Sequence, residues 1–183
     1  MRRMTIVPVA LAMTAFFTVV TASALAGPDG TVRTRPTCTI TGTPHDDTLK
    51  GTSGPDVICA GRGDDLIYGY SGNDIIYGGP GTDMVFGGRG DDRVWGGRGA
   101  DIDLFGGPGD DVLYGGPGPD DIRGEHGQDR LVGGGGSDSC LSAIDGHPGD
   151  RVIGGPGSDT ADRDPGDVLT SVEHVTEYVC YGG

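Results

Sequence analysis

Thirteen aspartates recur along this chain, each at the sixth place of a nine-residue phrase G-G-x-G-x-D-x-φ-x in which φ is aliphatic. Asp47, Asp56, Asp65, Asp74, Asp83, Asp92 and Asp101 lie nine apart; a ten-residue step leads to Asp111, Asp120, Asp129 and Asp138, and a twelve-residue step to Asp150, with Asp159 nine further on. A carboxylate repeated at this period is a hard oxygen donor. The glycines beside it let main-chain carbonyls approach the same point. Such a set suits Ca²⁺, which takes about six to eight oxygens in flexible geometry, better than Mg²⁺, which wants near-ideal octahedra and keeps its waters. Of the 27 acidic residues only Glu125, Glu173 and Glu177 are Glu. That bias fits a short-armed ligand on a tight turn better than a general need for solubility. An EF-hand is excluded, since its loop closes on a Glu with no counterpart here.

The elements that must carry these aspartates follow from the other positions. The run Gly78-Gly79-Pro80-Gly81-Thr82-Asp83-Met84-Val85-Phe86 is a clean copy within an array covering residues 42–162. Position one is Gly except at Ala60 and Asp145, position four except at His45 and Pro148, and position two except at Thr43, Thr52, Tyr70 and Glu125. Position eight reads Leu49, Ile58, Ile67, Ile76, Val85, Val94, Leu104, Leu113, Ile122, Leu131, Cys140, Val152 and Ala161. A short period with fixed glycines and one fixed carboxylate is the signature of a calcium-binding parallel β-helix. The glycine-rich segment turns and three residues form a strand. Two repeats close a coil, and coils stack as parallel strands about 4.8 Å apart. The chain reads as all-β, a right-handed parallel β-roll solenoid of six to seven coils. The extra residue near Asp103 reads as a β-bulge, and Ser142-Ala143-Ile144 as a small inserted loop.

Residues two repeats apart share a column. One column holds Asp47, Asp65, Asp83, Asp101, Asp120, Asp138 and Asp159; the other holds Asp56, Asp74, Asp92, Asp111, Asp129 and Asp150. Carboxylates about 5 Å apart repel by roughly 3 kcal/mol at an effective dielectric near 20. The metal-free stack should therefore not hold, and folding and the binding of several calcium ions should be one event.

Composition narrows the setting. The formal net charge of −14 disfavours nucleic acid and anionic membrane surfaces as partners. Arg2 and Arg3, an apolar stretch from Ile6 to Val20, and Ala24-Leu25-Ala26 read as a signal peptide over residues 1–26, with no later apolar run for membrane insertion. The protein is then secreted to the extracellular space or held at the cell surface. Residues 27–41 read as a disordered lead plus a cap strand, and 163–183 as a C-terminal cap. Four cysteines in an oxidising compartment allow three connectivities. Cys38–Cys59 with Cys140–Cys180 is preferred, because each bond would staple one end of the array.

Position nine is aromatic in six consecutive copies: Tyr68, Tyr77, Phe86, Trp95, Phe105 and Tyr114. These make two ladders of three rings, either strand-to-strand stacking or a contact strip for an extracellular polysaccharide or protein. Arg62-Gly63-Asp64 and Arg89-Gly90-Asp91 spell an adhesion tripeptide, but the turn frame produces it automatically. No serine-hydrolase elbow or phosphate loop is present, and the four histidines are scattered, so the chain is not read as an enzyme. Beside a calcium-folded binding or structural module, an adhesin or carbohydrate-binding surface module remains as the alternative.

The repeats closely resemble the RTX, or haemolysin-type, calcium-binding nonapeptide family, most clearly at residues 78–86, 87–95 and 106–114. The resemblance implies the parallel β-roll and the sixth-position Asp as calcium ligand. In many such proteins the array follows a protease, lipase or pore-forming domain. A signal peptide without a companion domain makes this chain look more like the family's small secreted calcium-binding proteins.

Overall fold

The computed structural model describes residues 36–176 and the pairs Leu25–Ala26 and Val32–Arg33. The rest of the expected signal peptide, Cys180 and the last part of the expected C-terminal cap lie outside the described residues. The chain divides into two units, residues 1–36 and 37–183. In the first, Leu25–Ala26 pairs antiparallel with Val32–Arg33. The second is a solenoid, with no helix among the described residues.

The strands form where sequence concentrates β-branched and aromatic residues, at positions seven to nine of each repeat. They alternate between two eight-stranded sheets. The first sheet contains Ile40–Thr41, Val57–Cys59, Ile75–Pro80, Arg93–Arg98, Val112–Pro117, Arg130–Gly135, Arg151–Ile153 and Val168–Thr170. The second contains Thr48–Lys50, Leu66–Ser71, Met84–Arg89, Leu104–Pro108, Asp121–His126, Cys140–Ala143, Thr160–Arg163 and His174–Val175. Each strand pairs in parallel with the strand two further along the chain, as in Ile76↔Val94 and Ile67↔Val85. Two repeats therefore make one coil. There are about eight coils rather than six to seven, because the flanking segments join the sheets: Ile40 pairs with Ile58, and Leu169 with Val152.

Position eight points inward. Ile58, Ile76, Val94, Leu113, Leu131 and Val152 stack from one sheet, and Ile67, Val85, Leu104, Ile122, Leu141 and Ala161 from the other, all fully buried. Leu141, not Cys140, fills this place, since Ile122 pairs with Leu141 and Leu141 with Ala161. The expected loop at Ser142–Ile144 is instead a buried strand, Cys140–Ala143. The extra residue sits before the core position, as it does at Asp103, where φ is 60° and the register of Leu104 is kept on both sides. Ala143 then takes the position-one seat, and the remaining insertion swells the turn up to Asp150. The physical reason is burial. This register puts Leu and Ala inside, whereas the alternative would place Asp145 in the core.

Position one also faces inward, so the interior between the sheets admits only Gly or, at Ala60 and Ala143, Ala. A Cβ on Gly78 would collide with its own repeat's Asp83 carboxylate and come within 2.6 Å of the Gly96 carbonyl oxygen. Position two has a different requirement. Gly97 has φ 132°, and a Cβ there would collide with the carbonyl oxygen of Gly79 in the coil before. Gly135 has open space around it and no left-handed φ. Gly97→Ala should therefore lower stability by about 2 kcal/mol or more, through backbone strain and collision. Gly135→Ala should be neutral or stabilising by up to about 1 kcal/mol. Denaturant unfolding in calcium checks the contrast.

Candidate metal centre

Each sixth-position aspartate lies just before its strand, and the turn folds its carboxylate back under the position-one glycine. Asp83 is fully buried, and its Oδ1 accepts the main-chain N–H of Asp65, one coil earlier, at 3.0 Å. The same bond repeats along both predicted columns. In one, Asp65, Asp83, Asp101, Asp120, Asp138 and Asp159 each accept from the preceding Asp at 2.9 to 3.0 Å. In the other, Asp74, Asp92, Asp111, Asp129 and Asp150 do so at 2.6 to 2.8 Å. The structure thus brings the thirteen aspartates together as two carboxylate ladders.

The second oxygen divides them. In Asp65, Asp74, Asp83, Asp92, Asp101, Asp111, Asp120, Asp129, Asp138, Asp150 and Asp159, Oδ2 is buried with no hydrogen-bond partner. Asp47 and Asp56 differ. Their Oδ2 atoms accept both the N–H and the hydroxyl of Thr43, at 2.6 and 2.9 Å, and of Thr52, at 2.7 and 2.9 Å. Threonine in place of the position-two glycine supplies there the donors that the later repeats lack.

Two members of the ladders escaped the periodic reading. Asp150 N–H and Gly149 N–H donate to Asp167 Oδ1, and Asp164 N–H donates to Asp167 Oδ2. Asp159 N–H donates to Glu173 Oε2 at 2.9 Å. Asp167 and Glu173 therefore continue the two columns past the array. The signal for Asp167 was present in Pro165-Gly166-Asp167-Val168-Leu169, which is the turn-and-strand phrase with one residue deleted. Glu173 carries no motif, because its longer arm makes up for a shortened turn.

Electrostatics follows burial. Removal from water pushes the Asp111 carboxyl up to about 8, those of Asp83, Asp92, Asp120 and Asp129 to about 7, and those of Asp101, Asp138 and Asp150 to about 6. Asp65 and Asp74 are raised for the same reason. The N–H bond to Oδ1 works in the opposite direction without prevailing. Repulsion within a column, such as that between Asp111 and both Asp92 and Asp129, adds to the rise. Desolvation, rather than the mutual repulsion expected from the spacing, is the larger cause.

These surroundings fit a hard cation. Besides the partnerless Oδ2 atoms, the position-four carbonyls of Gly63, Gly81, Gly90, Gly99 and Gly109 accept no hydrogen bond among the described residues. No three His, Cys, Asp or Glu side chains there converge into a metal-binding group. A cation at this place would need main-chain oxygens beside the carboxylates, the ligand mixture Ca²⁺ accepts.

The remaining candidates have structural places. Cys38 and Cys59 are bonded, with Cα atoms 5.9 Å apart, and tie the lead segment to the second strand of the first sheet. Cys140 is also disulfide-bonded. Tyr68, Phe86 and Phe105 stack at 5.2 and 5.1 Å, with Arg123 lying 5.0 Å over Phe105. Tyr77, Trp95 and Tyr114 stack at 4.9 and 5.5 Å on the other sheet. His147 pairs with Asp145 at 3.4 Å.

The family model of the RTX calcium-binding nonapeptide repeat matches the chain in four copies, at residues 41–76, 51–85, 77–102 and 105–140. No curated protein matches it.

The raised carboxyls set the pH response of the metal-free chain. An unfolded Asp titrates near 3.9, so between there and the raised values of about 6 to about 8 the folded form holds more protons. Stability of the metal-free fold is then full below about pH 4 and is lost as pH rises through 6 to 8. Circular dichroism in excess chelator should show β structure increasing on acidification from pH 8 to pH 4. A signal that falls or stays level would contradict this assignment.

Proposed function

This chain belongs to the RTX calcium-binding nonapeptide repeat family, and from that premise we propose that it is an exported protein whose β-roll assembles around Ca²⁺ held by the sixth-position aspartates. The observation that carries the proposal is the row of buried Oδ2 atoms from Asp65 to Asp159 that no protein group satisfies. A buried carboxylate without compensation is costly. Ca²⁺ held by these carboxylates would supply the positive charge and direct ligation that keep them ionised. The chain's own residues do the positioning. Main-chain N–H groups fix Oδ1, the position-one glycine leaves room for Oδ2, and the position-four glycines bring carbonyl oxygens into the turn.

The sites are not equivalent in this proposal. Asp65 to Asp159 are the calcium ligands. Asp47 and Asp56, already served by Thr43 and Thr52, belong to a first coil held together without the ion, and the Cys38–Cys59 bond reinforces it. Asp167 and Glu173 close the last two turns. Asp167 has both oxygens occupied by N–H donors, so its role is closure, whereas Glu173 is free to share an ion with Asp159.

Export is supported by the basic and apolar start of the chain, its Ala24-Leu25-Ala26 cleavage pattern, and the disulfide, a bond typical of oxidising compartments. Extracellular modules commonly bind calcium near 10⁻⁴–10⁻³ M. A chain of that affinity stays unfolded in a low-calcium interior and folds outside. The proposal assigns no catalytic role. The adhesin reading gains less support, because the position-nine rings lie nearly parallel, within 7° to 19°. They turn their faces to one another and leave mainly edges for a partner.

A calcium titration followed by far-ultraviolet circular dichroism tests the proposal. A cooperative rise of β structure should occur with Ca²⁺ and not with Mg²⁺. Asp92→Asn should raise the calcium midpoint by about tenfold, equivalent to about 1.4 kcal/mol, while Asp47→Asn shifts it by less than about twofold. Full β structure in chelator at pH 8, or equal shifts in the two variants, would refute it.

A further inference from the structure

Charge is unevenly placed on this acidic protein, and one outer face has none of the acid. On the first sheet, positions seven and nine point outward. Arg93, Val112, Arg130 and Arg151 are successive neighbours in the position-seven column. Beside them runs the position-nine column, Trp95, Tyr114, Val132 and Ile153. No Asp or Glu stands in the outward positions of these strands, although the chain has 27 acidic residues. The three arginines are exposed, and among the described residues none forms an ion pair. Arg130 and Arg151 are direct register partners, an arrangement of like charges that destabilises adjacent strands. One arginine of the second sheet is held differently: Arg123 is paired with Asp103 at 3.3 Å and covers Phe105.

The exposed groups are nearly all donors. Guanidinium forks match carboxylates in bidentate fashion, and the Tyr114 hydroxyl and Trp95 indole N–H add neutral donors. With the ring faces taken up by stacking, bases find no free platform, which disfavours single-stranded nucleic acid. The face is only a few residues wide, and the turns along one of its edges carry the exposed Asp91 and Asp110. A broad anionic surface such as a membrane would meet those acids and be repelled, whereas one narrow chain can lie along the strand-to-strand direction beside them. Parallel strands about 4.8 Å apart place Arg130 and Arg151 roughly 5 Å from each other and Arg93 roughly 10 Å from Arg130, a spacing of one to two sugar rings. We propose that this face binds a single carboxylated polysaccharide chain, running along the rod axis and held by Arg93, Arg130 and Arg151. The calcium-dependent fold supplies the scaffold; the site itself is distinct from the carboxylate ladders.

The test uses the calcium-saturated protein with its disulfides formed and a hyaluronan decasaccharide, which offers carboxylates on a soluble chain. Dextran serves as the neutral control, and a ten-residue oligothymidylate as the polyanion of another class. Binding should favour hyaluronan over both and weaken as salt rises. The double variant Arg130→Glu, Arg151→Glu should lose affinity at least about tenfold, or about 1.4 kcal/mol, while Arg89→Glu at the end of a second-sheet strand retains it. Circular dichroism in calcium establishes that each variant is folded, and Arg130→Gln with Arg151→Gln replaces the double Glu variant if that one is not. Binding no tighter than to dextran, tighter binding of the oligonucleotide, or equal loss in Arg89→Glu would overturn the assignment. So would a self-association that the double variant abolishes, since the face would then serve a second copy. A folded protein that fails these assays refutes the face alone; a chain that calcium does not fold refutes the scaffold instead.

Discussion

Everything in this solenoid turns on a carboxylate with one satisfied oxygen and one unsatisfied oxygen. From Asp65 onward, Oδ1 of each sixth-position Asp accepts an N–H from the coil before, so it is part of the inter-coil bonding and cannot leave without breaking it. Oδ2 is locked by the same geometry into the interior beneath a glycine. An uncharged group would fill that place at a smaller cost; an ionised one needs a positive charge or a proton. The fold therefore has a built-in dependence on what occupies that position, and because the bond recurs along both columns, the dependence is cumulative. Coils cannot be satisfied one at a time, which makes a cooperative response the expected one.

The thin core explains why this dependence is not overridden. Only one apolar side chain per repeat is fully buried, flanked inside by glycine or alanine. In a compact domain, apolar burial and conformational entropy oppose each other at similar size. Here glycine raises the entropic side, while the narrow interior limits the apolar side. Stacked aromatic rings on the outer faces add some cross-strand attraction, and the Cys38–Cys59 bond restricts the unfolded chain at one end. Neither alters the charge imbalance in the turns.

Much of this was legible because a repeat writes its geometry many times. Period nine, the inward apolar position and the pairing of residues two repeats apart placed Asp65, Asp83 and Asp101 in one column and Asp74, Asp92 and Asp111 in the other, as found. The bulge at Asp103 was legible too, since the phrase resumes after it. What failed did so where the phrase gives no frame. Around Cys140 the spacing alone allowed the insertion to fall on either side of the core position, and only burial decides that Leu141 goes inside. Asp167 and Glu173 were missed because shortened turns break the period that identified the others. The division between Asp47 and Asp83 was also hidden. Thr43 looked like a departure from glycine, but its hydroxyl reaches the carboxylate only because the turn folds back on itself.

A stack with this periodicity assigns separate tasks to separate columns. Position six governs the ion, positions one and eight govern packing, and positions seven and nine reach the outside without touching either. Substitution in an outer column is therefore tolerated by the fold so long as the residue suits a strand. That freedom explains how Arg93, Arg130 and Arg151 can gather on one sheet while Asp103 and Arg123 pair on the other. It also means that charge on the outer face is under no structural obligation to be self-repelling. Arg130 beside Arg151 is a cost the solenoid itself has no use for, so the arrangement points to a contribution from something outside the chain.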